Sequence, residues 1–189
     1  MGRPQFPHEV VLFVGLLTSA GHLLSAEQVL EKKWGTIKKR SPVFPFDYSA
    51  YYEDELGPKI IRCFYVFERK LDPLMIRDIK LESNALEEEG SVSGLRQWNI
   101  DPGYIDLDKI VLATTKPATY RIYLGKGIYA QSTLYFKDKA FHPWPWTYRD
   151  YKEEIALSFF KEAREEFKKA KLEVKSQKQS SKLEARGSR

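Results

Sequence analysis

The chain has one cysteine, Cys63, so no disulfide can close within it and a Cys-based metal site is excluded. That scarcity points to a reducing compartment. Histidine is nearly as sparse. His8, His22 and His142 are scattered, and a three-histidine zinc site would need all of them. No stretch approaches the roughly 20 consecutive apolar residues that cross a bilayer as a helix. The apolar run Val10–Leu17 is short, and Pro4, Pro7 and Glu9 precede it, so it reads as a buried strand rather than a signal peptide. The myristoylation pattern fails because Phe6 stands where Ser or Thr is required. Also missing are G-x-x-x-x-G-K-[ST], a G-x-G-x-x-G opening a helix, G-x-S-x-G and H-E-x-x-H. Their absence removes the standard phosphate loops, the esterase elbow and the zincin helix.

What is present is ample material for a core: 42% hydrophobic and 14% aromatic residues over 189 positions. The net charge of +5 is unevenly placed. From Lys168 to Arg189 there are eight basic residues against Glu173 and Glu184, whereas residues 1–167 carry a net −1. We therefore expect one α+β domain over 1–171 and a basic, disordered tail over 172–189. Such a tail suits contact with a polyanion, and equally a solvated terminus.

Periodicity and punctuation predict the elements. Val10–Leu17 is a strand, and His22–Trp34 is a helix with Ser25 and Gln28 as a capping box and Gly35 as its stop. Thr36–Phe44 is a second strand, and Pro42 and Pro45 argue for an edge position or an irregular exit. Lys59–Glu68 is a strong strand. Asp72-Pro73 caps a helix that runs to Glu89. Gln97–Ile100 is extended, Asp101-Pro102-Gly103 is a turn, and Lys109–Thr115 is a strand. Arg121–Leu124 and Ile128–Phe136 flank a three-residue hairpin loop, Gly125-Lys126-Gly127. A long helix begins near Tyr148, with Thr147 or Asp150 as cap and an apolar stripe at Ala156, Phe160, Ala163, Phe167 and Ala170. The expected fold is a ferredoxin-like β-α-β-β-α core, with parallel pairing through the first helix, extended by an antiparallel β-meander and closed by the C-terminal helix.

Four segments join polar chemistry to rigid backbone. FPFDYSAYYEDEL (44–56) offers Asp47 and Asp54 as oxygen donors for Mg²⁺, with Tyr51 beside them. Its plainer reading is a helical turn with packed tyrosines. NIDPGYI (99–105) carries Asn99, Asp101 and Tyr104 around the expected turn. ATTKPATYRIY (113–123) places Thr115, Lys116 and Arg121 at strand ends, where they suit an anion or a solvated hairpin end. HPWPWTYRDY (142–151) includes Trp146, which serves as a stacking ring or as a brace for the last helix.

FPFDYSAYYEDELG, NIDPGYI, KIVLATTK, RIYLGKGIYAQSTL and PWTYRDY, in that order, resemble the prokaryotic domain of unknown function 4416 family. The likeness spans about Val10–Arg164 and excludes the tail. It implies a single-domain cytoplasmic protein without an established activity. It supplies no catalytic residues. Relatives in this family often carry His immediately before the Arg of R-I-Y-L, where this chain has Tyr120. A GTP-binding label attached to some relatives finds no nucleotide-loop motif here.

The preferred expectation is a pocket for a small phosphate-bearing molecule such as a nucleotide, with Asp47 and Asp54 holding a divalent metal, Lys116 and Arg121 taking the phosphate, and Tyr104 or Trp146 stacking. Two alternatives stand beside it: an RNA-associated accessory protein using the basic tail, and a protein-partner or homodimer module. Whether Asp47, Asp54, Asp101, Lys116 and Arg121 share one cleft discriminates among them.

Overall fold

The computed structural model describes residues 2–187. Among these, nine strands join in one sheet: β1 Val10–Ser19, β2 Ile37–Arg40, β3 Phe44–Pro45, β4 Ile60–Leu71, β5 Trp98–Ile105, β6 Lys109–Thr114, β7 Ile122–Gly125, β8 Ile128–Lys137 and β9 Ala140–Pro143. The α-helices are α1 Leu23–Trp34, α2 Glu53–Leu56, α3 Ile76–Glu89 and α4 Glu154–Gly187. The strand order is β2-β4-β1-β5-β6-β8-β7, with β3 also on β4 and β9 also on β8. The protein is thus a mixed α+β fold with a large antiparallel sheet and a C-terminal helix.

Period-two alternation splits β1 between two cores. Val10, Leu12, Val14 and Leu16 face α1 and α3, where they meet Leu30, Trp34, Ile76 and Ile79. Val11 and Phe13 face α4, where they meet Ala156, Phe160, Ala163 and Phe167. A strand covered on both faces has no polar side, which explains its unbroken apolar run. Phe160 is fully buried, with its ring edge-on to Phe13 at 5.0 Å. Burial of such a side chain contributes roughly 1.5–3 kcal/mol.

Several local expectations hold. Asp72 caps its helix by accepting from the Leu74 N–H at 2.9 Å. Gly35 ends α1 with φ of 92° and donates to the Glu31 carbonyl. Others are corrected. Ser25 lies inside α1 and bonds back to the His22 carbonyl, so it caps nothing. Neither Thr147 nor Asp150 caps the last helix. Thr147 Oγ1 accepts from the Trp144 N–H and donates to the Thr133 carbonyl, and Asp150 faces Arg62. The β7–β8 hairpin turns on two residues, Lys126 and Gly127, both at positive φ. A second such turn, Asp138-Lys139, leads into β9, a strand the sequence reading did not include. No parallel pairing occurs among the described residues: β4 lies between β1 and β2. The later strands are not a simple meander either, because β8 separates β6 from β7. Helix α4 continues to Gly187, into the stretch read as a tail; Ser188 and Arg189 lie outside the described residues.

The main correction is at Asp101-Pro102-Gly103. It is no turn but the middle of β5, with Asp101 opposite Gly15, Pro102 opposite Val14 and Gly103 opposite Phe13. Gly103 is required by contact, not by turn geometry. A Cβ there would lie 2.4 Å from the Val111 carbonyl oxygen and 2.5 Å from the Phe13 ring. Pro102 has the other role. N–H groups alternate in direction along a strand, so residues 100, 102 and 104 point theirs toward the β6 side. Proline has none to offer. The β5–β6 ladder accordingly stops at Gly103–Leu112, and the two strands part beyond it.

Candidate functional site

The parting of β5 from β6 opens a cleft of about 690 Å³. Its walls come from the free end of β5, the end of β6, the inner side of α3, the loop around Tyr51 and the segment 145–150. The backbone of β5 that β6 abandons is paired by side chains instead. The Ile100 N–H donates to Glu87 at 2.6 Å, and its carbonyl accepts from the Lys80 ammonium at 2.9 Å. Both side chains are buried on α3. Burial pushes the Glu87 carboxyl up from its ordinary value, against the opposing pull of Lys80, the Ile100 N–H and Arg96.

A chain of charges crosses the cleft. Arg96 pairs with Glu55 and with Glu87, the latter at 2.5 Å, and donates to Asn99 Oδ1 at 3.2 Å. Asn99 Nδ2 donates to Asp101 Oδ2 at 2.9 Å. That same oxygen receives Arg62 at 3.4 Å. Arg62 then meets Asp150 at 2.6 Å, with side-chain exposures of 5% and 3%. The guanidinium sits 5.5–5.8 Å from the ring centres of Phe46, Phe64 and Tyr151. Burial disfavours its charge, but Asp150 and Asp101 outweigh that and hold Arg62 more firmly protonated than a free arginine. Gly15 makes the room. A Cβ there would lie 2.8 Å from the Tyr151 hydroxyl and 3.0 Å from Arg62 Nη1.

Three donors in or behind this lining are buried and unpartnered among the described residues: Arg62 Nε and Gln131 Nε2 on lining residues, and the Tyr151 hydroxyl outside the lining. A buried donor left unmade costs about 1–3 kcal/mol. Nearby phenols stay neutral at ordinary pH. Burial and a 2.7 Å bond to Glu153 push Tyr48 up to about 12, and burial raises Tyr148 and Tyr151 as well.

The sequence candidates divide. Tyr51, Asn99, Asp101, Thr115, Lys116 and Trp146 line the cleft. Lys116 Nζ lies 4.9 Å over the Tyr51 ring at the mouth. Arg121 stands behind the wall and not in it. It donates to Gln131 Oε1 at 2.9 Å, to the Lys116 carbonyl at 2.7 Å and to the Tyr148 hydroxyl at 2.7 Å. Tyr104 is on the opposite face of the sheet, packed against the core under α1 and α3, so it is not available to stack on a ligand in the cleft. Trp146 stacks on Tyr120 and on Trp144 at 5.0 and 5.2 Å, nearly parallel to both, so its ring is already engaged within the protein. Asp47 and Asp54 are exposed and outside the lining. Among the described residues no group of three His, Cys, Asp or Glu is placed to hold a metal ion.

Arg62, Glu87, Arg96, Gln131 and Asp150 were missed as site residues. Arg62 had a signal: a lone arginine at an inward position of the apolar run IIRCFYVF (60–67) is a buried charge that needs a partner. Nothing local marked Gln131 or Glu87.

The family described as a domain of unknown function, DUF4416, matches residues 8–167. The chain belongs to that family. No curated protein and no solved structure matches it. The DUF4416 region begins just before β1 and ends at Phe167, the last buried residue of the α4 stripe, so it takes in the whole sheet and the whole cleft.

Proposed function

We infer that the cleft binds a small phosphate-bearing molecule such as a nucleotide. The observation that carries this reading is the charge of the lining. Three carboxylates, Glu87, Asp101 and Asp150, are each met by Arg96 or Arg62, while Lys116 and Arg149 at the mouth have no carboxylate partner among the described residues. These two cations line the same cleft as the Thr114 and Thr115 hydroxyls, a set suited to a phosphate group. The volume is that of a site for a small ligand.

The test is thermal unfolding with ribose 5-phosphate and nucleoside monophosphates, with and without Mg²⁺. A ligand at about 100 times its Kd adds roughly 2.7 kcal/mol, a rise of several degrees at this size. Lys116→Ala and Arg149→Ala should each weaken binding about tenfold or more, as loss of a charged hydrogen bond does. A flat response from every phosphate compound refutes the reading.

The unit β1-α1-β2-β4-α3-β5 supports a ferredoxin-like reading of the core. Its strands take the order β2-β4-β1-β5, and α1 and α3 cover one face.

A further inference from the structure

We propose that the floor of the cleft reads a nucleobase-type edge, a hydrogen-bond acceptor and a donor side by side, so that the ligand enters heterocycle first and leaves its phosphate at Lys116 and Arg149. This orientation rests on the phosphate reading above and names the group that reading leaves open.

The polarity of the floor is set by residues that cannot change role. Arginine only donates. Arg121 Nε gives its proton to Gln131 Oε1 at 2.9 Å, so the oxygen of that amide is taken and the donor Nε2 is left over. Gln131 is 1% exposed, lines the cleft, and its Nε2 has no partner among the described residues. On the β5 side Asn99 is locked in the same way. Its Oδ1 accepts from Arg96 and its Nδ2 donates to Asp101 Oδ2. Arg62 falls on that same oxygen. Among the described residues every hydrogen bond and ion pair of Asp101 thus uses Oδ2, which leaves Oδ1 as an acceptor on a cleft-lining side chain that is 28% exposed.

Both groups project from the sheet face that α4 covers. Gln131 pairs with Leu112, Leu112 pairs with Gly103, and Asp101 is two residues along β5 from Gly103. The β8 side therefore holds a fixed, buried donor, unpaired among the described residues, and the β5 side a fixed acceptor, both on residues that line the same cleft. A bare phosphate or carboxylate would meet Gln131 and the Arg62 side of the floor but set its charge against the free Oδ1 of Asp101. An ammonium group would meet Asp101 but leave Gln131 unmade. A planar edge with acceptor and donor adjacent satisfies both. A phosphate anchored at the mouth fixes which atom of that edge faces which wall.

The test uses matched pairs that share sugar, phosphate and ring size but exchange donor for acceptor: UMP against CMP, and IMP against AMP. Ribose 5-phosphate is the probe without a base. Calorimetric Kd values should show unequal binding within each pair, by about tenfold or more, because a site built of fixed buried polar groups rejects the wrong pattern. The better nucleotides should bind at least about tenfold tighter than ribose 5-phosphate. The double variant Gln131→Glu with Asp101→Asn reverses the polarity. The new glutamate still accepts from Arg121, and the new asparagine turns its oxygen to Arg62 and Asn99, so its NH₂ faces the cleft. The preference within each pair should then reverse. Gln131→Glu alone, the milder change, should already narrow it.

Equal binding within the pairs, or ribose 5-phosphate as tight as the nucleotides, overturns the proposal and leaves the phosphate reading standing. An unchanged order in the folded double variant overturns it too. If no probe binds, ribose 5-phosphate included, the phosphate reading fails and this one with it.

Discussion

Asp150→Ala tests the central energetic claim about the site. The carboxylate is 3% exposed and lies 2.6 Å from a guanidinium that is itself 5% exposed. Its removal leaves Arg62 among the rings of Phe46, Phe64 and Tyr151, with Asp101 at 3.4 Å as the remaining counter-ion. Ring faces attract a cation, but they do not replace a carboxylate in contact. Breaking a buried pair from one side costs about 3–5 kcal/mol, because the surviving charge stays desolvated. Asp101, partly exposed and farther away, offsets some of that, so the expected loss is about 3 kcal/mol. With a urea slope near 2 kcal/mol per molar, the unfolding midpoint falls by about 1.5 M. The double variant Arg62→Met with Asp150→Leu removes both charges and should recover most of the loss. The assay is equilibrium urea unfolding followed by tryptophan fluorescence and circular dichroism. A single-variant loss below about 1 kcal/mol, or a double variant no better than the single, refutes the claim that a buried pair is at stake.

Two further outcomes follow from other parts of the structure. Gly103→Ala should destabilise the protein by about 1–3 kcal/mol or more, because its Cβ meets the Val111 carbonyl and the Phe13 ring, whereas an exposed turn would tolerate alanine there; thermal unfolding decides it. Burial pushes the Cys63 thiol up to about 11, so a disulfide reagent at pH 8 should label it only after unfolding. The sign for stability is set by the same shift. The folded state holds that proton more tightly than the unfolded state, so this contribution is complete below about pH 8.5 and declines as pH rises through 11.

Much of the element order is written locally. The run Val10–Leu17, the Asp72-Pro73 cap, the Gly35 stop and the α4 stripe are short-range signals, and each produced the element expected. Asp101-Pro102-Gly103 shows where that kind of signal fails. Its residue types favour a turn, yet Phe13 of the neighbouring strand needs the space that Gly103 leaves, and pairing with Val14 keeps Pro102 extended. The candidate residues fared likewise. Asn99, Asp101 and Lys116 could be singled out because they lie near a predicted turn or strand end, and they do line the cleft. Tyr104 lies in the same segment as Asn99 and Asp101, but period-two alternation puts it on the other face because the segment is a strand.

The sequence by itself determined the mixed α+β character, most strand and helix positions, the family resemblance and the polar segments from which a site is built, because each depends on neighbours within a few residues. Only the tertiary structure decided that β5 and β6 part at Pro102, that Arg62 and Asp150, 88 positions apart, form one buried pair, and that Arg121 fixes the amide of Gln131 from behind. The reason is that a charge or an amide acquires its role from the partner it meets, and these partners are brought together by the order of strands in the sheet rather than by their distance along the chain.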